Sequence, residues 1–191
     1  GGSATDYSDL TLGRSYLGGT SAGSRGVFAG GKTPSMTNVI DYYNIQGGTF
    51  ADFGDLTVAR GEDIPAVSDA HGGLNAFDQR APELYSPTGR PLASGGGVGN
   101  IGIFAGGEYG YTAAVGYVTI STLGNEQDFG DLVTATSALA GASSSTRCLI
   151  GGGQTPSGNL VTINYAEFSS KGNFADFGDL TSRRDKLPGF A

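Results

Sequence analysis

The sequence predicts an all-β fold built from repeated strand units. Glycine supplies 35 of the 191 residues, far above the usual ~7%, and each glycine costs a helix about 1 kcal/mol relative to alanine. Hydrophobic residues make up 38% of the chain and charged residues only 15%, a balance that supports a folded core and argues against disorder. A sequence motif that recurs along most of the chain indicates internal repetition.

The recurring motif is Asp-aromatic-small-Asp-Leu, and it occurs four times. Its first residues, at spacings of 46, 76 and 48, are Asp6, Asp52, Asp128 and Asp176. In three copies an arginine follows the motif leucine by four positions, and these are Arg14, Arg60 and Arg184. Thr136 takes that place in the remaining copy.

Three further segments precede the motif in each unit, and each predicts a short strand because it is rich in apolar and aromatic residues between turn residues. The first is a Leu-Gly or Leu-Ala segment, at residues 17–19, 92–93 and 139–141. The second is an apolar run closed by paired glycines, which are Gly30 and Gly31, Gly106 and Gly107, and Gly152 and Gly153. The third carries a tyrosine, at residues 39–45, 115–120 and 160–166.

These landmarks divide the chain into units with a period of 46–48 in the numbering. Repeat 1 covers residues 1–56, repeat 2 covers 57–132, repeat 3 covers 133–180, and residues 181–191 begin a fourth. The interval from the motif leucine to the next paired glycine is the same from Leu10 to Gly30 as from Leu132 to Gly152, but it is much longer from Leu56 to Gly106. Repeat 2 therefore carries an insertion, which we place at 61–90.

Four strands in a unit of nearly fifty residues is the arithmetic of a β-propeller blade. Closed propellers have about 4–8 blades, so three complete units predict a partial propeller. The chain is then either a piece of a longer repeat protein or one part of a ring or fibre that two or three copies complete. A β-solenoid, in which each unit makes two coils, is the alternative architecture.

The order of landmarks resembles the kelch repeat, in which a tyrosine follows the paired glycine by about ten positions and an aromatic strand and an arginine come next. Phe53, Phe129 and Phe177 stand where kelch repeats usually carry tryptophan, which this chain lacks. Over residues 4–60 and 91–184 the wording of the repeat also resembles structural and tail-appendage proteins of marine tailed bacteriophages. The resemblance implies a virion component of kelch-like architecture without enzymatic activity.

The insertion at 61–90 differs in composition from the repeats, since it holds three of the seven prolines and the only histidine. Long excursions from a rigid scaffold often carry function. Its candidate binding residues are of types that anchor interfaces or contact sugars, and they are Asp69, His71, Phe77, Asp78, Arg80 and Tyr85. Contact with another protein chain, binding of a receptor or glycan, and a passive loop all remain open.

The repeated acidic and glycine positions each allow two interpretations. The motif acids could form a ring of calcium ligands, or they could accept hydrogen bonds from nearby backbone amides; they are Asp52, Asp55, Asp128, Asp131, Asp176 and Asp179. The paired glycines could cradle a phosphate, or they could supply positive φ and close approach between strands. We favour the structural interpretation of both.

Several classes of chemistry are excluded or disfavoured. With one histidine, the chain holds no multi-histidine metal site and no kelch-like copper oxidase site within one subunit, so we expect neither a metal nor a cofactor. Cys148 occupies the position of Gly26 and Gly102 in the other units and is predicted to be buried and inert. The sequence has no run of about 18 apolar residues, so it predicts no membrane span. The net charge of −7 argues against nucleic-acid binding.

The leading hypothesis is a non-enzymatic virion structural or tail-appendage protein. Its expected partners are copies of itself or other virion proteins, with a host-surface glycan or receptor as a further expectation, and its location is the virion. The second hypothesis is a kelch-like adaptor, secreted or at a cell surface, that binds protein or glycan. The third is a carbohydrate-active propeller enzyme, which needs two positioned carboxylates from the unrepeated acids Asp63, Asp69, Asp78, Glu83 and Glu108.

Overall fold

A computed structural model describes residue 3 and residues 6–61, 64–70, 99–107 and 111–186. Within these residues the chain forms β-strands and no α-helix. The strands are β1 Gly18–Ala22, β2 Arg25–Ala29, β3 Lys32–Thr33, β4 Ser35–Asn44, β5 Ala51–Arg60, β6 Ala66–Ser68, β7 Ile101–Ala105, β8 Thr112–Thr119, β9 Gln127–Thr136, β10 Ala140–Ser143, β11 Arg147–Gly151, β12 Gln154–Thr155, β13 Gly158–Asn159, β14 Thr162–Glu167 and β15 Ala175–Asp179.

Twelve of the strands form three four-stranded meanders. Sheet 1 has the order β1-β2-β4-β5, sheet 2 the order β6-β7-β8-β9, and sheet 3 the order β10-β11-β14-β15. The short strand β3 pairs with β4, and β12 pairs with β13. All these pairs are antiparallel. The prediction of an all-β chain made of antiparallel four-stranded units is therefore confirmed, and the described residues lack the parallel pairing between coils that a β-solenoid would have.

The three sheets pack face to face in chain order, and the core lies between them. The junction of sheets 1 and 2, here the first junction, buries apolar residues of both sheets, which include Val27, Phe53, Phe104 and Ile120. The second junction, between sheets 2 and 3, does the same with residues that include Ile103, Phe129, Ile150 and Phe174. Each sheet alternates residues between its two faces, so sheet 2 contributes to both cores.

Equivalent strands of neighbouring sheets lie together. The first strands meet, since β6 contacts both β1 and β10. The fourth strands also meet, since β9 contacts both β5 and β15. Each sheet therefore packs on the next with its first and fourth strands beside the corresponding strands of its neighbour.

The extra residues of repeat 2 lie later in the chain than the sequence predicted. Ala66–Ser68 forms β6, the first strand of sheet 2, although it falls within the predicted insertion at 61–90. The predicted first strand at 92–93 lies outside the described residues. In sheet 1 two residues separate the first two strands, and in sheet 2 the chain runs from Ser68 to Ile101 between them. The insertion therefore leaves and re-enters sheet 2 between its first and second strands.

Candidate interaction surface

The Asp-aromatic-small-Asp-Leu motif forms the fourth strand of each sheet and contains a β-bulge. In sheet 1, Ile40 pairs with Gly54 and Asp41 pairs with Asp52, so Phe53 is the extra residue. The same irregularity recurs at Phe129 and Phe177. A bulge bends the strand and turns the aromatic side chain toward one face, and Phe53 and Phe129 are buried there.

The motif acids point away from the core and are all exposed; they are Asp52, Asp55, Asp128, Asp131, Asp176 and Asp179. Asp176 accepts a hydrogen bond from the backbone N–H of Gly178 at 3.0 Å, which is the local contact that the structural interpretation describes. Among the described residues no group of three or more acidic, histidine or cysteine side chains is placed to hold a metal ion.

At the first junction, a turn of sheet 2 docks on the motif of sheet 1. This docking turn comprises residues 124–126, directly before β9. The N–H of Gly124 donates to the carbonyl of Phe53 at 2.9 Å, and the N–H of Glu126 donates to the carbonyl of Asp55 at 2.8 Å. The side-chain oxygen of Asn125 accepts from the N–H of Asp55 at 3.0 Å. Three hydrogen bonds thus satisfy one edge of the motif.

The second junction repeats the contact with the docking turn at residues 172–174. Gly172 and Phe174 donate to the carbonyls of Phe129 and Asp131, each at 2.7 Å. Asn173 Oδ1 accepts from the N–H of Asp131 at 3.1 Å. The motif is therefore a docking edge for the sheet that follows it in the chain.

The motif glycine is required by both backbone conformation and space. Gly130 has φ of 144°, in the region that favours glycine, and a Cβ at this position would overlap the carbonyl of Gly172. Gly54 has φ of 147° and meets Gly124 in the same way. The docking turn can approach the motif this closely because no side chain stands between them.

The last residue of the docking turn carries a buried carboxylate, which a threonine and an arginine of the preceding sheet hold. At the first junction, Glu126 accepts hydrogen bonds from the N–H and hydroxyl of Thr57, and its other oxygen lies 3.4 Å from Arg60 Nη1. Arg60 also donates to the carbonyl of Phe104 at 2.6 Å. Burial lowers the pKa of the Arg60 guanidinium, and the charge of Glu126 opposes that shift.

The same arrangement, which we call the clamp, holds Asp41 in sheet 1. Thr11 donates to the Asp41 carboxylate through its N–H and its hydroxyl, and Arg14 Nη1 lies 2.8 Å from Asp41 Oδ2 with both side chains buried. Arg14 also donates to the carbonyl of Phe28, as Arg60 does to Phe104. Residues 6–14, which precede sheet 1, thus contribute the contacts that a preceding sheet contributes elsewhere.

The acid of each clamp comes from a different position in the chain. Asp41 lies on β4, whereas Gly116 is the matching residue of β8. A Cβ on Gly116 would overlap the carboxylate of Glu126, so the Glu126 side chain occupies the space that the Asp41 side chain fills in sheet 1. Neither acid stands out in the sequence as a site residue, because Asp41 and Glu126 share no motif position.

At the second junction, uncharged residues occupy the positions of the clamp arginine and of Asp41. Thr136 stands in place of the arginine, and Asn164 takes the position that matches Asp41. Asn164 Oδ1 accepts from the N–H of Val133 at 3.2 Å, and its Nδ2 donates to the carbonyl of Ile150 at 3.3 Å. The missing arginine noted in the sequence therefore coincides with a missing acid.

The paired glycines close the second strand of each sheet. All of them have positive φ, and they are Gly30, Gly31, Gly106, Gly107, Gly152 and Gly153. A Cβ on Gly30 would lie 2.6 Å from the carbonyl oxygen of Arg60. These positions thus combine positive φ with close approach, and within the described part of the chain no helix follows them that would present amides to a phosphate.

Sheet 3 has no sheet docked on its motif within the described residues. Phe177 is 52% exposed, whereas Phe53 and Phe129 are 3% and 2% exposed. Gly178 has the φ of the other motif glycines, 145°, yet a Cβ on it would meet no atom within 4 Å. Arg184, at the clamp position, is exposed and donates to the hydroxyl of Ser182. We call this surface, from Asp176 to Arg184 with Leu149 and Tyr165, the open face of sheet 3.

The opposite end of the stack is the aromatic face of sheet 1, which contains Phe28, Tyr43 and Phe50. The Tyr43 and Phe50 rings stack at 5.3 Å, and the Phe28 and Phe50 rings lie 5.5 Å apart. Residues 6–14 cover this face only in part, because Tyr7 contacts Tyr43 at 5.0 Å but stays 57% exposed.

Of the insertion candidates, the structure describes Asp69. Its Oδ1 accepts from the N–H of Ile101 at 2.8 Å, so the carboxylate ties together the two ends of the insertion. Burial raises the pKa of the Asp69 carboxyl, against hydrogen bonds from Ile101 and Asn100 that lower it. The other candidates, His71, Phe77, Asp78, Arg80 and Tyr85, lie outside the described residues, as do Asp63, Glu83 and Glu108.

A cleft of about 390 Å³ lies beside the base of the insertion, between the β1–β2 turn and residues Asn100 and Ser121. Arg25 contributes to its wall, and its guanidinium also donates to the carbonyl of Ile120 at 2.8 Å. The cleft thus joins sheets 1 and 2 at the end of the molecule where the insertion emerges.

Cys148 lies at the strand position that Gly26 and Gly102 occupy in the other sheets. Burial raises the pKa of its thiol to about 12, and Sγ donates to the carbonyl of Ala166. A thiol in this environment stays protonated and is a poor nucleophile.

In comparisons with known proteins, no family model matches the chain, and no curated protein sequence matches it. Among the described residues, no helix has the length and apolar character needed to cross a membrane.

Proposed function

We propose that the chain is a non-enzymatic structural protein of a bacteriophage virion, built of kelch-like β-propeller blades and assembled with copies of itself. The observation that carries this proposal is the contrast between the two junctions and the open face of sheet 3. At each junction a buried aromatic and a docking turn join consecutive sheets, and a buried ion pair adds to the first junction, whereas the same positions of sheet 3 are exposed.

The packing of the sheets supports the blade interpretation. Propeller blades are four-stranded antiparallel sheets arranged around a central axis, and here the first strands of successive sheets lie together. Within the part of the chain that the structure describes, three such sheets leave two terminal faces without a neighbouring sheet. Repeat arrays need their terminal faces covered for solubility, and association between chains would cover both of them.

Native mass and particle location test this proposal separately. By native mass spectrometry we expect a mass of two or more times the 19.3 kDa chain mass. We also expect antibody against the chain to label purified phage particles. Release of sugar from host polysaccharides would contradict the non-enzymatic assignment. A stable monomer that is absent from particles would contradict the structural role.

The second candidate function is an adaptor that binds protein or glycan. The cleft beside the insertion favours it, because Arg25, Asn100 and Ser121 offer polar groups near a long excursion from the scaffold. A glycan array read with the full chain tests this function, and binding that is lost in an Arg25→Ala variant would support it. If the unchanged chain and the Arg25→Ala variant bind the same glycans equally well, glycan recognition does not use this cleft.

A further inference from the structure

We propose that the open face of sheet 3 binds the aromatic face of sheet 1 of a second copy, head to tail. This inference rests on the proposed self-assembly and specifies its interface. The second copy would place its turn at residues 48–50 on the motif that begins at Asp176. Its Asp41 carboxylate would be held by Thr181 and Arg184 of the first copy.

The acceptor side has the bulged aromatic and motif glycine that both internal junctions use, and the threonine and arginine that the first junction uses. Phe177 forms the bulge that Phe53 and Phe129 form, and the φ of Gly178 matches those of Gly54 and Gly130. Thr181 and Arg184 follow the motif with the spacing of Thr57 and Arg60. Leu149, which is half-buried, matches Val27 and Ile103, which are fully buried by the next sheet.

The donor side is the first sheet of the same chain. Its turn at residues 48–50 precedes the motif at Asp52 by the same interval as the docking turns precede Asp128 and Asp176. Gly48 has φ of 138°, similar to Gly124 and Gly172. Phe28 matches Phe104 of sheet 2 in its strand pairing, yet Phe104 is fully buried at the first junction whereas Phe28 is half-buried.

Residues 6–14 occupy this donor face within each chain. Their pattern, an Asp-aromatic-small-Asp-Leu motif followed by a threonine and an arginine, matches residues 176–184. Docking of a second copy would therefore exchange Arg14 for the partner's Arg184 at the Asp41 carboxylate. The exchange would replace the buried Arg14–Asp41 ion pair with an equivalent one and would give up the Tyr7–Tyr43 and Ser8–Phe50 contacts. In return it would cover Phe177 and Leu149, which are exposed and half-buried in the single chain.

A head-to-tail contact closes into a ring when its rotation permits. The described residues of two copies supply six four-stranded sheets, which lies within the range of about 4–8 blades in closed propellers, whereas those of three copies supply nine. The expected assembly is therefore a ring of two chains that contains two copies of the interface.

Site-directed cross-linking between two variant proteins tests the interface. At the first junction, Asp55 and Asn125 are hydrogen-bonded neighbours, and their counterparts in the proposed interface are Asp179 and Thr49. We would mix full-length D179C with full-length T49C under mild oxidation. Cys148 stays buried and does not interfere. The control mixture is D179C with T122C, because Thr122 is also exposed but lies on a turn of sheet 2.

The expected result is a covalent heterodimer of two 19.3 kDa chains as the main product of the D179C and T49C mixture, with only a trace in the control. Adding Arg184→Ala to the D179C protein should weaken association by roughly 30-fold or more, because it leaves the Asp41 charge unpaired. Arg183→Ala should have little effect, since Arg183 donates to Asn159 of its own chain.

Equal cross-linking in the two mixtures would overturn the interface. If the native mass is still two or more times the chain mass in that case, the protein self-assembles through another surface. If the protein is monomeric in addition, the proposed self-assembly falls together with this inference.

Discussion

At the scale of single residues, the buried ion pair between Arg60 and Glu126 connects sheet 1 to sheet 2. Arg60 is 2% exposed and Glu126 is 4% exposed, and two nitrogens of Arg60 and one oxygen of Glu126 make no hydrogen bond. The pair is thus held by charge more than by complete hydrogen bonding. A buried ion pair adds little to the net free energy of unfolding. Removal of one partner lowers that free energy strongly, because the other charge stays buried without a counter-charge.

Replacing one member of this pair should destabilise the fold strongly. We expect Arg60→Ala to lower the free energy of unfolding by about 3–5 kcal/mol, because it leaves the Glu126 carboxylate buried without a counter-charge. The double variant Arg60→Met with Glu126→Gln should recover much of the loss. Urea unfolding followed by circular dichroism measures both effects.

The matched control for this prediction is Arg147→Ala at the exposed pair Arg147–Glu167, whose side chains are 45% and 50% exposed. Exposed pairs typically contribute about 0–1 kcal/mol. If Arg60→Ala and Arg147→Ala have the same small effect, the buried clamp does not stabilise the first junction.

The burial of Asp69 should make the stability of the fold depend on pH. Burial raises the pKa of its carboxyl in the folded state, so the folded protein binds this proton more tightly than the unfolded chain does. Its contribution to stability is then greatest at acid pH and is lost as the pH rises through the folded pKa. Asp69→Asn keeps an oxygen that can accept from Ile101 but cannot ionise.

We therefore expect Asp69→Asn to stabilise the protein at neutral pH, and we expect this gain to shrink as the pH falls into the range where Asp69 is protonated. Urea midpoints of both proteins at several pH values measure the difference. Asp128→Asn, at an exposed motif acid, is the control and should show no such gain. A gain from Asp69→Asn that grows toward acid pH would contradict the burial of this carboxyl.

At the scale of the element, the docking turn and the motif strand form one recurring unit of recognition. The motif glycine can be tested with a matched pair, because Gly130 and Gly178 have nearly the same φ, 144° and 145°. They differ in surroundings, since only Gly130 faces a docking turn, at Gly172.

We expect Gly130→Ala to lower the free energy of unfolding by roughly 1–3 kcal/mol more than Gly178→Ala does, because only Gly130→Ala adds overlap with the Gly172 backbone. Both variants carry the cost of positive φ. Because Gly178 lies at the proposed interface, both variants are compared by urea unfolding at dilution where the chain is monomeric. Equal losses would show that backbone conformation alone selects this glycine.

Much of the architecture could be predicted at this scale because the repeat restricts local conformation. The spacing of paired glycines, tyrosine and motif predicted the second, third and fourth strands of each sheet, since all three rest on local patterns. The first strand of sheet 2 was misplaced, because Ala66–Ser68 lacks the Leu-Gly signature and the insertion follows it rather than precedes it. The clamps could not be predicted, since Asp41 and Glu126 become equivalent only when neighbouring sheets pack.

At the scale of the whole molecule, the two terminal faces are unequal and complementary. One presents a bulged aromatic and a clamp arginine, Phe177 and Arg184, and the other presents aromatic rings above a buried acid, Asp41. A self-complementary patch would pair like with like, whereas in the proposed assembly these faces would pair end to end. The chain therefore has a polarity, and its assembly should be a ring or a filament rather than a face-to-face dimer.

A charge placed on the open face should separate association from folding. We expect Phe177→Asp to convert the native assembly to a 19.3 kDa monomer, because it would place an unpaired carboxylate in an apolar interface. The variant should fold with an unchanged circular dichroism spectrum, since Phe177 is 52% exposed and packs mainly on Tyr165. Phe129→Asp, at the same position of the second junction, should instead prevent folding, because that aromatic is 2% exposed. Native mass spectrometry and light scattering distinguish these outcomes, and a Phe177→Asp protein that keeps the mass of the assembly would place the contact between chains on a different surface.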